Sequence, residues 1–299
     1  MSTDQQIRNA AFNWLNQQID IHGDVLPRRE LLEKGFQFKD TVVHLVSAQG
    51  IFKPRQMELP LTITTTAKGP YEDNFNYKDQ LLYKYQGKDP LHRDNAGLRE
   101  VMKQELPLIY FHGIIPNRYL AIFPVYIIED NPQNLSFTVV ADEKVINPKS
   151  EESDFVGVKD EGRRSYITSQ VRQRVHQRGF RERVLQAYRS QCAFCNLKHS
   201  ELLDAAHIVP DGEPDGTPTV DNGLALCKIH HSAFDHHIIG ITPDYQIKIR
   251  TDILEEIDGP MLTYGIQKLH DQKLILPKSK KYWPSREKLD WRHQRFVQA

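Results

Sequence analysis

The feature that most constrains this chain is where its cysteines lie: all three, Cys192, Cys195 and Cys227, fall within one short stretch. An odd number clustered this tightly argues against a disulfide framework and for metal ligation. Cys192-Ala-Phe-Cys195 forms a C-x2-C knuckle, and Cys227-Lys-Ile-His230 offers a C-x2-H partner about thirty residues on. Two such knuckles supply four soft or borderline ligands, the set a closed tetrahedral zinc site uses. The alternative, two buried thiols and a chance histidine, leaves the clustering of every cysteine unexplained.

Between the knuckles lie Asp204-Ala-Ala-His207-Ile-Val-Pro and Asp221-Asn222-Gly223-Leu224, and the second knuckle runs on into His231, Phe234 and Asp235. A structural zinc accounts for none of these. On a helix, neighbours point about 100° apart, so His230 and His231 cannot serve one centre equally. Cys227 and His230 stand at i, i+3 and share a face. His230 is therefore expected to complete the zinc site, with His231 facing elsewhere together with Asp235. The converse, His231 closing the zinc site, is the alternative. His236 and His237 read as turn or surface residues.

The order His207, Asn222, His231, framed by the knuckles, resembles the HNH endonuclease family. The string AAHIVP…DNGLALC..HH..FD is similar to the HNH domains of bacterial restriction enzymes, over about residues 180–250. The resemblance implies a ββα-metal fold, with a hairpin carrying His207 and a following helix carrying His231. It also implies phosphodiester hydrolysis assisted by one divalent ion, Mg2+ or another such as Mn2+. His207 would be the general base, since a neutral imidazole titrates near working pH. His231 would ligate the ion. Asn222 would hold the loop and the orientation of His207, or contact the metal itself. Many family members place an Asp or His just before the base. Here that position is Ala206, and Asp204 is the nearest substitute as a carboxylate ligand.

At 299 residues the chain can hold two domains, each burying its own core. Ile7, Ala11, Trp14, Leu15 and Ile19 predict an amphipathic first helix that Gly23 ends, followed by a short helix from Pro27 to Lys34. From Phe36 to about Val140 come β-type runs (TVVHLV, LPLTITT, QLLYKY, LPLIYF, YLAIFPVYII), interrupted by a helix-like segment from Asn95 to Gln104. A polar stretch without apolar pattern sets a linker at 147–164, between a domain at 1–146 and the nuclease domain at 165–299. A helix from about Thr168 to Arg189 buries Val171, Val175, Phe180, Val184, Leu185 and Tyr188. Its Arg172, Arg174, Arg178, Arg181, Arg183 and Arg189, with Glu182 the only acid, form either a solvated face or, as the near absence of acids favours, a phosphate-facing surface. The hairpin-like ITPDYQIKIR is expected to pack on the nuclease core. The tail interleaves Lys278, Lys280, Lys281, Arg286, Lys288, Arg292 and Arg295 with Tyr282, Trp283 and His293. That pattern fits either nucleic-acid contacts or a packed helix with a basic outer face.

In the first half, Tyr71-Glu-Asp-Asn74, Tyr83-Lys-Tyr85-Gln-Gly87, Asn95-Ala-Gly-Leu98 and Pro107-Leu-Ile-Tyr-Phe-His-Gly113 follow one another. The succession resembles the SRA (YDG) domains, over about residues 40–145. It implies a PUA-like β-barrel that flips a modified cytosine out of duplex DNA and stacks it between aromatics. Tyr71 and Tyr85 would stack on the base, and Asp73 or Asn74 would accept from its exocyclic amine. Asn74 stands where that family usually has a second Asp. Cross-strand packing is the competing role for these tyrosines. Lys53 and Arg55, flanking Pro54, form either a DNA-contacting loop or a solvated one.

The formal charge balances to zero, which does not oppose DNA binding, because DNA responds to a local patch. No apolar run approaches the roughly 20 residues of a membrane helix. The polar N-terminus does not read as a secretory signal, so a cytoplasmic location is expected. The reading is an α+β, modification-dependent (type IV-like) restriction endonuclease that acts on double-stranded DNA carrying modified cytosine. One HNH centre cuts one strand, so a double-strand break calls for a homodimer or two successive nicks. The rivals are an HNH nuclease of toxin or homing type, and a non-catalytic DNA-binding protein stabilised by zinc.

Overall fold

The computed structural model describes residues 2–66, 80–141 and 161–299, with side chains from residue 170 onward in the last span. Contacts divide the chain into two compact units, Met1–Arg178 and Gly179–Ala299. The predicted linker at 147–164 lies largely outside the described residues.

The first unit opens with α1 (Thr3–His22). Ser2 caps it by accepting from Gln5 N at 3.3 Å, and Gly23 ends it at φ 76°, donating its N–H to Ile19 O. β1 (Val25–Pro27) follows. Where the sequence predicts a helix over Pro27–Lys34, the chain makes one π-helical turn, Arg28–Leu32. β2 (Phe36–Phe38) and β3 (Thr41–Val43) form a hairpin. Then come β4 (Ile51–Phe52), β5 (Thr62–Thr65), β6 (Leu81–Lys84), α2 (Arg93–Lys103), β7 (Leu108–Ile115), β8 (Arg118–Asn131) and β9 (Ser136–Ala141). Among the described residues the main sheet runs β4-β5-β7-β8-β9-β6, with β1 also on β8. β5 and β7 pair in parallel, and every other pair in the sheet is antiparallel.

The sheet forms a half-barrel, whose path β4 and β6 end without pairing to each other among the described residues. Along β7, Leu108 and Tyr110 enter one apolar core while Ile109 and Phe111 enter another, as period-2 alternation demands. Both faces are covered, which explains why LPLIYF is apolar throughout. Ile7, Ala11 and Leu15 of α1 fill one core, and Leu98 and Val101 of α2 fill the other. Arg8 of α1 is buried and donates to Pro107 O at 2.8 Å and to Pro60 O at 2.6 Å. It thereby ties the helix to the residues leading into β5 and β7. Burial lowers this guanidinium to about 10.

α3 (Glu161–Ala187) begins before the predicted Thr168 and bridges the division at Arg178. The second unit continues with β10 (Leu203–His207), β11 (Gly223–Cys227), α4 (Lys228–Asp235), β12 (Ile239–Ile241) and β13 (Ile247–Ile249). It closes with α5 (Thr251–Glu255), α6 (Pro260–Gly265) and α7 (Arg286–Gln298). β10 and β11 form the antiparallel hairpin, and α4 leaves it directly. The ITPDYQIKIR segment is the β12–β13 hairpin, and Ile239, Ile241, Ile247 and Ile249 all enter the same core as β10 and β11. Phe296 of α7 lies so close to Gly240 that a Cβ there would meet its ring at 2.4 Å, so glycine is what lets α7 dock on β12.

Candidate active site and metal centre

The end of β11 and the first turn of α4 bring Cys227 and His230 beside the Cys192–Cys195 knuckle, with all four ligand atoms within 4.8 Å of one another. Bonds of about 2.3 Å to sulfur and about 2.0 Å to nitrogen set the ligands of a tetrahedral zinc roughly 3.5–3.8 Å apart. His230 Nδ1 lies 3.4 Å from Cys192 Sγ and 3.2 Å from Cys227 Sγ. The far nitrogen, Nε2, is 2.7 Å from Gly265 O at the end of α6. Donating there fixes the tautomer and leaves Nδ1 as the ligand. Hydrogen bonds from Cys192 and Cys195 push the Cys227 thiol strongly towards thiolate. Burial alone would lower His230, but its bonds to Cys192 and Cys227 raise it to about 10. The Cys195 thiol is pushed the other way by its bonds to Cys192 and Cys227, so the fit to a cation rests on the donor set itself, three sulfurs and one imidazole nitrogen converging on one place. The residues fit a metal ion, and His231 is not among them.

His207 ends β10 opposite Gly223 of β11. Its ring lies flat on Phe180 of α3, with centroids 4.0 Å apart and planes at 15°. A Cβ on Gly223 would come within 2.4 Å of Val184 and 2.9 Å of Phe180, so the glycine leaves room for the α3 side chains. The imidazole is half-buried, and its Nε2 is buried without a hydrogen-bond partner among the described residues. Burial is the largest influence on its pKa and lowers it. Asp211, Asp235 and Asp204 oppose that effect, and His231 adds to it.

Asn222 is fully buried, and its amide clamps the loop that returns from His207. Oδ1 accepts from Val209 N at 2.9 Å, while Nδ2 donates to Val209 O and Thr217 O, each at 3.0 Å. Every polar atom of that side chain is therefore spent on backbone. The side chain thus ties Val209 and Thr217 to the turn that carries Asn222.

His231 occupies the other side of α4 from the cysteine cluster. Its Nδ1 lies 3.7 Å from Asp204 Oδ2 and its Nε2 lies 3.3 Å from Asp235 Oδ2. Arg181 stands behind Asp204, with Nε 3.5 Å from Oδ1, and also donates to Leu203 O at 2.9 Å. At the C-terminal end of α4, buried Arg292 donates to Phe234 O at 2.8 Å, and its guanidinium lies over the Phe234 ring at 4.5 Å. This cation from α7 satisfies helix-end carbonyls where the macrodipole is negative. His236 accompanies it as the exposed C-cap of α4, and His237 follows at φ 53°, so both are turn residues.

Among the described residues, several arginines of α3 pair with groups of the protein itself. Arg174 and Arg178 both reach the buried Asp24, at 2.8 Å and 3.0 Å. Arg181 serves Asp204 and the backbone as described, while Arg172 is exposed. Tyr71, Asp73 and Asn74 lie outside the described residues. The structure puts Tyr85 in the core instead of an open cleft: it packs on Phe137 at 4.7 Å, and its hydroxyl is held by Asp130 and Arg99. It follows β6 directly and joins Tyr83 in the same apolar core. In the tail, Arg292 is a buried cap, Lys288 pairs with Asp221 at 3.0 Å, and Lys278, Lys280 and Lys281 remain exposed. Sequence reasoning missed the partners Phe180, Gly265 and Arg292. Each lies far along the chain from the residue it supports, and none carries a local motif.

Residues 192–242 match the family described as HNH endonuclease. Two solved structures resemble the chain at a low level. One is the "Modification dependent TagI restriction endonuclease", at a TM-score of 0.30 and 18% identity, covering 79% of this chain and 81% of that one. The other is the "Type IV phosphorothioation-dependent restriction endonuclease ScoMcrA", at a TM-score of 0.24 and 14% identity, covering 83% of this chain and 51% of that one. Comparison with curated proteins gives no match.

Proposed function

We propose that this chain, which carries an HNH endonuclease domain over residues 192–242, is a modification-dependent, type IV-like restriction endonuclease that reads modified cytosine and hydrolyses DNA. The observation that carries the nuclease half is the β10–β11–α4 unit. It holds His207, whose Nε2 has no hydrogen-bond partner among the described residues, and a second histidine, His231, between two carboxylates.

Here His207 takes a proton from the attacking water. Its Nε2 is buried, so Nδ1 is the nitrogen that water reaches. Burial keeps the ring neutral, the form a general base requires. Asn222 keeps the 208–222 loop in place and so preserves the end of β10. His231 with Asp204, and Asp235 beside them, would hold a divalent cation such as Mg2+ or Mn2+. When bound, that ion neutralises charge developing on the phosphate and the departing 3′ oxygen. Zinc on Cys192, Cys195, Cys227 and His230 would be structural, joining the knuckle to α4 and, through Gly265, to α6.

The reader half rests on the YDG-like succession of residues 71–113 and on the half-barrel sheet that carries part of it. Burial of Tyr85 favours a second reading, in which the same nuclease is targeted by other means. Replacing His207 by Ala tests the catalytic centre. Cleavage is expected to fall about 100- to 10,000-fold, while zinc content and DNA binding stay unchanged. Near wild-type cleavage would end the general-base assignment.

A further inference from the structure

We infer that Phe180 of α3 is a positioning residue for the reaction: its ring is the seat that holds the His207 imidazole in its proton-accepting orientation. This rests on the general-base role of His207 proposed above. A catalytic histidine is ordinarily oriented by an acceptor on its far nitrogen. Here that nitrogen, Nε2, has no partner among the described residues. The closest structured feature is instead a flat aromatic surface, 4.0 Å away and 15° from parallel.

Phe180 is itself fixed. It is 2% exposed, and its Cζ lies 2.9 Å from the position a Cβ on Gly223 would take. Gly223 is also the residue opposite His207 in the hairpin register. The ring is thus wedged between the two strands' ends and the imidazole. It covers one face of His207 and excludes water from it, leaving the ring edge to the reaction. The charged and titratable groups that bear on His207 are Asp204, Asp211, His231 and Asp235. None of them makes a hydrogen bond or ion pair with its ring among the described residues.

The test compares Phe180→Leu with Val184→Ala. Val184 sits one turn on in α3 and faces the same Gly223, but has no ring to stack on His207. Phe180→Met, which keeps apolar volume, serves if Phe180→Leu does not fold. His207→Ala is the reference. Three quantities are read: single-turnover cleavage of the plasmid the wild-type protein cuts best, DNA binding, and the NMR titration of the His207 ring. Phe180→Leu is expected to slow cleavage about 10- to 100-fold with DNA binding within about twofold. It is also expected to raise the His207 midpoint towards an ordinary imidazole, because the covered face becomes hydrated. Val184→Ala is expected to change neither. Wild-type rate and titration in Phe180→Leu, or equal losses in Val184→Ala, would overturn the positioning role. If His207→Ala still cleaves, the underlying general-base reading fails instead, and the two failures are told apart.

Discussion

His230 and His231 are consecutive residues whose imidazoles serve different clusters. His230 Nδ1 lies 3.2 Å from Cys227 Sγ, whereas His231 Nε2 lies 3.3 Å from Asp235 Oδ2. The turn of helix between them directs the two rings to different sides of α4. Substituting each in turn should therefore give opposite results. His230→Ala should lose bound zinc and lower the thermal midpoint. His231→Ala should keep the zinc and lose cleavage by about 100-fold or more. Zinc per chain and plasmid nicking, measured on the same preparations, check both.

Gly223 should resist any side chain. An added methyl would meet Val184 at 2.4 Å and Phe180 at 2.9 Å, so Gly223→Ala should destabilise the second unit by about 1–3 kcal/mol. Chemical unfolding followed by tryptophan fluorescence reads this directly, and an unchanged midpoint would contradict the packing described.

Arg292 should matter through the end of α4 and not through DNA. It is 6% exposed and donates to Phe234 O. Arg292→Ala should cost about 1–3 kcal/mol by orphaning those carbonyls. Its effect on DNA affinity should be smaller than that of removing the exposed Lys280 and Lys281, and a salt titration of binding separates the two.

In the first unit, burial pushes His112 down to about 4, with His176 adding to the effect. The ring is 3% exposed and hydrogen-bonded to Tyr110 Oη at 2.7 Å. The folded state thus binds this proton less readily than the unfolded chain, whose imidazole titrates near 6.5. Stability should be at its full value above that point and fall as the pH drops towards about 4, by about 3 kcal/mol in all. Urea midpoints across that window should fall, and the decline should shrink in His112→Asn.

Much of the site was legible because its signals are local. Cys192, Cys195, Cys227 and His230 announce themselves by spacing, and the i, i+1 geometry of His230 and His231 assigns their sides without coordinates. The first helix and its Gly23 stop were equally plain, and LPLIYF was readable as a strand. What could not be read was pairing at a distance. Nothing in the sequence says that Phe180 lies under His207, or that Arg174 and Arg178 reach Asp24. A run of cations on a helix looks alike whether it meets phosphate or a buried carboxylate, because the partner lies some 150 residues away. Tyr85 is ambiguous for a related reason, since an aromatic suits a core strand as well as a base-reading cleft.

The measurement that bears most directly on the whole account is cleavage of two plasmids of identical sequence, one carrying 5-methylcytosine and one unmodified, by the intact chain with Mg2+ or Mn2+. The account predicts cutting of the methylated plasmid and little of the other, abolished in both cases by His207→Ala. Equal cutting of the two plasmids would contradict modification dependence and leave an HNH nuclease targeted by other means.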